Sequence, residues 1–145
     1  MIVRNIVGNK PSSKVLTVKR ADTVKIAAEM LAKHRIGAVI VSEDGEIVDG
    51  ILSERDIVRA LGTIGVSCLD AQVKDLMTSA VIGCHLDDTV NSVLERMTDG
   101  RFRHMPVIEN NRMVAVVSIG DAVKARMNEI QLENTALTGM IANSW

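Results

Sequence analysis

The stretch from Val15 to Val58 returns, with substitutions, from Val81 to Val123. Asp22-Thr23-Val24 recurs as Asp88-Thr89-Val90, an offset of 66, and the same offset pairs Glu29 with Glu95, Arg35 with Arg101 and Val41 with Val107. One residue is then lost in a turn. The offset becomes 65, and Ser53, Asp56 and Val58 meet Ser118, Asp121 and Val123. A register kept over both halves, with a single deletion at a turn, constrains the fold strongly. Both copies must form the same unit, and repeats this short bury their apolar faces against each other.

The unit reads β-α-β-β-α. Short strands are expected at Val15–Val18 and Val81–Cys84. Asp22 and Asp88 then stand where a helix N-cap belongs, offering a side-chain oxygen to unpaired backbone N–H groups. Val24, Ala27, Ala28 and Leu31 share one face of the next helix, as do Val90, Val93, Leu94 and Met97 in the second copy. Ala38–Val41 and Met105–Ile108 are apolar runs too short for helices and bounded by turn residues, which predicts buried strands. Polar turns at 42–45 and 109–112 lead to third strands at Ile47–Leu52 and Met113–Val117, and each Ser-x-x-Asp opens a second helix. Residues 62–79 join the copies, with Gly62 and Gly65 ending the first copy's last helix. Beyond Val123, the positions Met127, Ile130, Asn134, Leu137 and Ile141 make a heptad seam with one polar member. Such a stripe either packs on the chain's own sheet or pairs helices across a dimer, with Asn134 fixing the register.

Composition closes off several function classes. The chain has 145 residues, 47% of them apolar, and no Tyr; Phe102 and Trp145 are its aromatics. A formal net charge of −1 gives no basic footprint for nucleic acid. Cys68 and Cys84 have neither metal-ligand spacing nor a disulfide pattern and read as reduced thiols. There is no signal-peptide pattern and no apolar run near the ~18 residues of a membrane span, so a soluble cytoplasmic protein is expected. His34, His85 and His104 are scattered, and no nucleophile, base and orienting group fall together, so neither a metal site nor an enzyme is expected.

The paired Ser-x-x-Asp turns carry two readings. A Ser at the N-cap with an acid three residues later is a capping box. An acid at the end of a strand also accepts from ribose hydroxyls, while Ser and helix N–H groups meet phosphate. Gly100-Arg101-Phe102-Arg103-His104-Met105-Pro106 leads into the second copy's middle strand. It reads either as a solvated loop or as a phosphate clamp, Arg presenting forked donors that suit phosphate oxygens. The first copy has Arg35-Ile36-Gly37-Ala38 there, so Gly37 stands for Arg103 and Ala38 for His104; in return Arg55 stands where the second copy has Gly120. Two sites of this kind would not be identical.

These segments, in this order in both halves, resemble a tandem pair of CBS (cystathionine β-synthase) domains, a Bateman module, over residues 10–128. The resemblance implies an α+β fold: two β-α-β-β-α CBS repeats packed as a pseudo-twofold pair through their sheets. Repeat 1 would take residues 1–66 and repeat 2 residues 67–128, with 129–145 a C-terminal helical extension. It implies an adenosine-containing ligand (AMP, ADP, ATP, NAD or S-adenosylmethionine) bound between the repeats, and no catalytic cofactor. Asp56 and Asp121 would hold ribose, with Ser53 and Ser118 near phosphate. Ile36, Gly37 and Ala38 would line one cleft and Arg103, His104, Met105 and Pro106 the other, with backbone near Val15 and Val81 meeting the base. The residues themselves add Arg55, Arg101 and Gly120 to this set. The family's usual role is a regulatory sensor, commonly a dimer, acting on a partner that this sequence does not name. The competing expectation is a ligand-independent dimeric interaction scaffold.

Overall fold

The computed structural model describes residues 1–9 and 15–143. It is an α+β protein with one sheet per copy. Strands β1 (Thr17–Val18), β2 (Ala38–Val41) and β3 (Gly50–Ser53) form the first sheet, and β4 (His104–Glu109) and β5 (Arg112–Ser118) the second. The first copy supplies helices α2 (Val24–His34) and α3 (Glu54–Ile64); the second supplies α5 (Val90–Gly100) and α6 (Ile119–Asn143). Two further helices, α1 (Val3–Asn9) and α4 (Val73–Leu76), precede the copies.

The repeat is visible in the packing. Val24, Leu31, Val39, Val41, Leu52 and Ile57 sit in one buried cluster, and their counterparts Val90, Met97, Met105, Val107, Val117 and Ala122 sit in the other. Each cluster is completed by the helix that leads into the opposite copy. Val3 and Ile6 of α1 pack in the second cluster, and Val73 of α4 packs in the first. The same backbone bonds hold both. Val3 N–H donates to Asp88 O (2.9 Å) as Val73 N–H donates to Asp22 O (2.8 Å), and Val90 N–H reaches Met1 O (3.1 Å) as Val24 N–H reaches Ala71 O (2.9 Å). This exchange ties the two copies together.

Several elements differ from the sequence expectation, each for a local reason. The caps of α2 and α5 are Thr23 and Thr89, whose hydroxyls accept from Ile26 and Ser92 N–H. Asp22 and Asp88 instead cap the turn before, accepting from Lys19 N–H (2.9 Å) and His85 N–H (2.8 Å). The His85 N–H bond, followed by Arg96, holds the Asp88 carboxyl below its usual range despite partial burial. β3 begins at Gly50, not Ile47, because Asp44 Oδ1 takes the Glu46 and Ile47 N–H groups at 2.8 Å each. Those two backbone bonds also hold the Asp44 carboxyl below its usual value. Residues 81–84 form no strand. They contribute a single parallel bridge, Cys84 to Val107, in which Cys84 N–H donates to Pro106 O (3.0 Å) and Ile108 N–H to Cys84 O (2.8 Å). The stripe on α6 does not pack on the chain's own sheet: Met127, Leu137 and Ile141 are all more than half exposed.

Gly50 is required by a close approach rather than by its φ. A Cβ there would lie 2.9 Å from Thr78 O and 2.6 Å from Met77 Sδ. The same segment is zipped to β3 by reciprocal Ile51 and Thr78 backbone bonds, both 2.9 Å. Gly50→Ala is therefore expected to destabilise the chain by about 1–3 kcal/mol, the usual cost of overpacking a close contact, read as a lower urea midpoint with an unchanged slope.

Candidate functional site

Strand pairing places each Ser-x-x-Asp turn beside the start of a middle strand. Ala38 is opposite Ser53 in the first sheet, and His104 is opposite Ser118 in the second. Glu54 N–H donates to Gly37 O (2.9 Å) just as Ile119 N–H donates to Arg103 O (2.8 Å). The helices before these strands end in left-handed residues, Arg35 (φ 53°) and Arg101 (φ 56°), which turn the chain towards the junction of the copies.

Both turns are capping boxes. Ser53 N–H donates to Asp56 Oδ2 (2.9 Å) and Asp56 N–H to Ser53 Oγ (3.3 Å), while the Ser53 hydroxyl donates to Asp56 Oδ2 (3.0 Å). Ser118 N–H donates to Asp121 Oδ2 (3.0 Å) and Asp121 N–H to Ser118 Oγ (3.1 Å). The cap occupies Oδ2 of Asp56 and leaves its Oδ1 without a hydrogen-bond partner among the described residues. The cap thus uses one oxygen of the carboxylate and leaves the other available.

Ser53 and Asp56 open onto a cleft of about 470 Å³ walled by both copies. That volume falls within the range of small-molecule sites. Of the expected site residues, Gly37, Ala38, Ser53, Arg55, Asp56, Val81, Arg101, Arg103 and His104 all line it. A neighbouring, shallower hollow of about 440 Å³ takes in Ile36 and Ser118, and shares Gly37, Arg103 and His104 with the cleft. Val15, Gly120 and Asp121 line neither cavity. Met105 and Pro106 also differ from expectation: both are buried and line neither cavity, with Met105 packed in the second cluster.

The basic residues are not divided between the two cavities. The sequence assigns Arg103 and His104 to the second copy's cleft and leaves the first without a basic pair. They line the hollow that takes in Ser118 and also the cleft that holds Ser53 and Asp56, because the strand starts of both copies wall both cavities. The space beside Gly37 is already filled: a Cβ there would lie 3.1 Å from His104 Cε1 and 3.5 Å from Glu54 Oε1. Residues 12–14, the sequence counterparts of 78–80 on the wall of this cleft, lie outside the described residues.

Four arginines and one carboxylate line the cleft. Arg55 Nη1 donates to Arg101 O (3.1 Å) across the copies, and Arg103 Nη2 donates to Glu54 Oε1 (3.0 Å). The guanidinium groups of Arg59 and Arg101 have no partner among the described residues. Arg59 was missed at the sequence level. Its signal was its place three residues after Asp56, on the same face of α3. Thr78, at the end of the segment joining the copies, and Ala80 and Ile82, which flank Val81, were also missed. Phe102 lines the same wall, its ring lying where Gly100 has no Cβ. Among the described residues no group of three or more His, Cys, Asp or Glu side chains is placed to hold a metal, and no helix is long and apolar enough to cross a membrane.

A model of the CBS domain matches this sequence twice, over residues 3–63 and 73–128. The chain belongs to the CBS domain family. The two matches fall on the two copies, and the CBS pair has similar relatives of known structure. A CBS-domain containing protein from Agrobacterium tumefaciens is 40% identical with a TM-score of 0.82, covering 87% of this chain and 99% of that one. A CBS domain protein from Pyrobaculum aerophilum complexed with AMP is 25% identical, TM-score 0.71, covering 83% of this chain and 89% of that one. A CBS domain pair in complex with 5′-methylthioadenosine and S-adenosyl-L-methionine is 25% identical, TM-score 0.74, covering 86% of this chain and 98% of that one. The mitochondrial CBS domain-containing protein CBSX3 of Arabidopsis thaliana is 35% identical over 128 residues, which is 86% of this chain but 62% of that protein. The CBS pair thus spans less than two thirds of that relative's length.

Proposed function

We propose that this CBS pair is a regulatory, non-catalytic sensor of an adenine nucleotide (AMP, ADP, ATP or NAD) that acts on a partner protein. The observation that carries this reading is the cleft itself: one carboxylate oxygen left over from a helix cap, facing arginines from both copies. Asp56 Oδ1 accepts from the ribose hydroxyls, the Val81 backbone lies along the base, and Ser53 with Arg55, Arg59 and Arg101 meets phosphate. Ser118, Gly120 and Asp121, with Ile36 and Val15, form the counterpart site. The solved CBS pairs with AMP or with S-adenosylmethionine support an adenosine ligand, and the arginines favour a phosphorylated one.

A ligand that binds only the folded chain stabilises it by RT ln(1 + [L]/Kd). A thermal-shift panel of AMP, ADP, ATP, NAD and S-adenosylmethionine is expected to show a clear rise in Tm with at least one of the phosphorylated members. No shift with any of them at millimolar concentration contradicts the sensor and favours the ligand-independent scaffold.

The chain acts as a homodimer in this reading. Exposed Val58 and Leu61 on α3 and Val123, Met127 and Ile130 on α6 give related apolar faces on the two copies. Deleting 129–145 and measuring mass in solution separates two interfaces. Loss of the dimer places it on the distal seam around Asn134, and an unchanged dimer places it on the repeats.

A further inference from the structure

Arg103 stands on the partition between the cleft and the neighbouring hollow, and it lines both. Its guanidinium is turned to the hollow's side, where Nη2 donates to Glu54 Oε1 at 3.0 Å. Glu54 lines the hollow and not the cleft. The pair is about half exposed at both ends, 45% for Arg103 and 55% for Glu54, so it is a weak ion pair that a better anion displaces. Gly37 lies beside the pair: a Cβ there would meet the same Glu54 oxygen at 3.5 Å, an ordinary contact distance. The counterpart of Arg103 is Gly37 and that of Glu54 is Ile119, so the repeat builds this pair on one side only. The cleft's other arginines are not held by carboxylates: Arg55 donates to a carbonyl, and Arg59 and Arg101 are uncommitted among the described residues.

We propose that Arg103 is a charge-counting latch. A single phosphate is met by the uncommitted arginines and leaves Arg103 on Glu54, whereas a longer phosphate chain draws Arg103 into the cleft and releases Glu54. The latch rests on the nucleotide reading given above. It makes Arg103 and Glu54 the residues that set the preference between a nucleoside monophosphate and a nucleoside triphosphate, and it couples that difference to the junction of the two copies. A carboxylate competes with the ligand for Arg103, so removing the carboxylate strengthens binding of the longer ligand.

Titration calorimetry of the full chain with AMP and with ATP tests it in four proteins: wild type, Glu54→Gln, Arg103→Gln and the double variant. Glu54→Gln is expected to raise ATP affinity by up to about fivefold, the ceiling set by an exposed ion pair, and to raise the ratio of ATP to AMP affinity. Arg103→Gln is expected to lower ATP affinity by about tenfold or more and AMP affinity by less. In the double variant the gain from Glu54→Gln is expected to vanish. An equal gain for AMP and ATP, or a gain that persists without Arg103, overturns the latch while leaving the nucleotide reading in place. If neither AMP nor ATP binds the wild-type chain, the latch fails, and the nucleotide reading fails with it only if ADP and NAD also leave the Tm unchanged.

Discussion

Asp56→Ala is expected to remove the nucleotide-dependent rise in Tm contributed by the cleft between the copies. At a hundredfold excess over Kd a single site stabilises the folded chain by about 2.7 kcal/mol. For a chain of this length that is roughly 5–10 °C. The substitution also breaks the capping box, since Asp56 Oδ2 accepts from Ser53 N–H at 2.9 Å, and this lowers basal stability by about 1 kcal/mol. The two losses are separable. Loss of a residue that only caps lowers the Tm equally with and without ligand; loss of one that also holds ribose narrows the gap between the two melting curves by the cleft's share. Asp121→Ala is the internal comparison. It breaks an equivalent cap, with Ser118 N–H on Asp121 Oδ2 at 3.0 Å, but lies outside this cleft. It is expected to cost a similar basal stability and to leave the response of the Asp56 cleft intact.

Leu52→Ala is expected to destabilise the chain by about 2–5 kcal/mol, measured by urea denaturation. Leu52 is fully buried, pairs with Val39 across the sheet, and lies in the cluster with Val24, Leu31 and Val41. Deleting its side chain removes transfer energy and leaves a cavity that a strand paired on both sides, to β2 and to Thr78, does not readily close. Leu52 also precedes Ser53, so the loss loosens the strand end that presents the turn. Val58→Ala, one turn into α3, is the control. Val58 is 64% exposed, and its truncation is expected to change the stability of a single copy of the chain by less than about 0.5 kcal/mol.

The repeat made most of the fold legible. Apolar positions matched at offsets of 66 and 65 became the two buried clusters, and Ala38–Val41 was read to the residue. The failures have local causes. A two-residue strand such as β1 leaves almost no periodicity to detect. Asp22 and Thr23 are both good N-caps, and pattern alone does not rank adjacent candidates. Helix α1 packs against the second copy through Val3 and Ile6, a partnership that depends on how the two copies meet rather than on either copy's own pattern.

The site was legible in part for the same reason. Ser53, Arg55 and Asp56 come from one turn, so spacing brought them together. Arg101, Arg103 and Val81 join them from the other copy, and linear matching did not show that Arg103 and His104 line both cavities. Arg59 and Thr78 carried no motif and became visible only once α3 and the joining segment flanked the same cleft.

The central claim is that the oxygen of Asp56 left over from the cap holds a ribose. A crystal structure of the chain grown with ATP or AMP tests it most directly. The account predicts density for the nucleotide in the cleft between the copies, with ribose hydroxyls within hydrogen-bond distance of Asp56 Oδ1 and phosphate against Arg59 and Arg101. A nucleotide bound elsewhere, or in this cleft with its ribose away from Asp56, would contradict it.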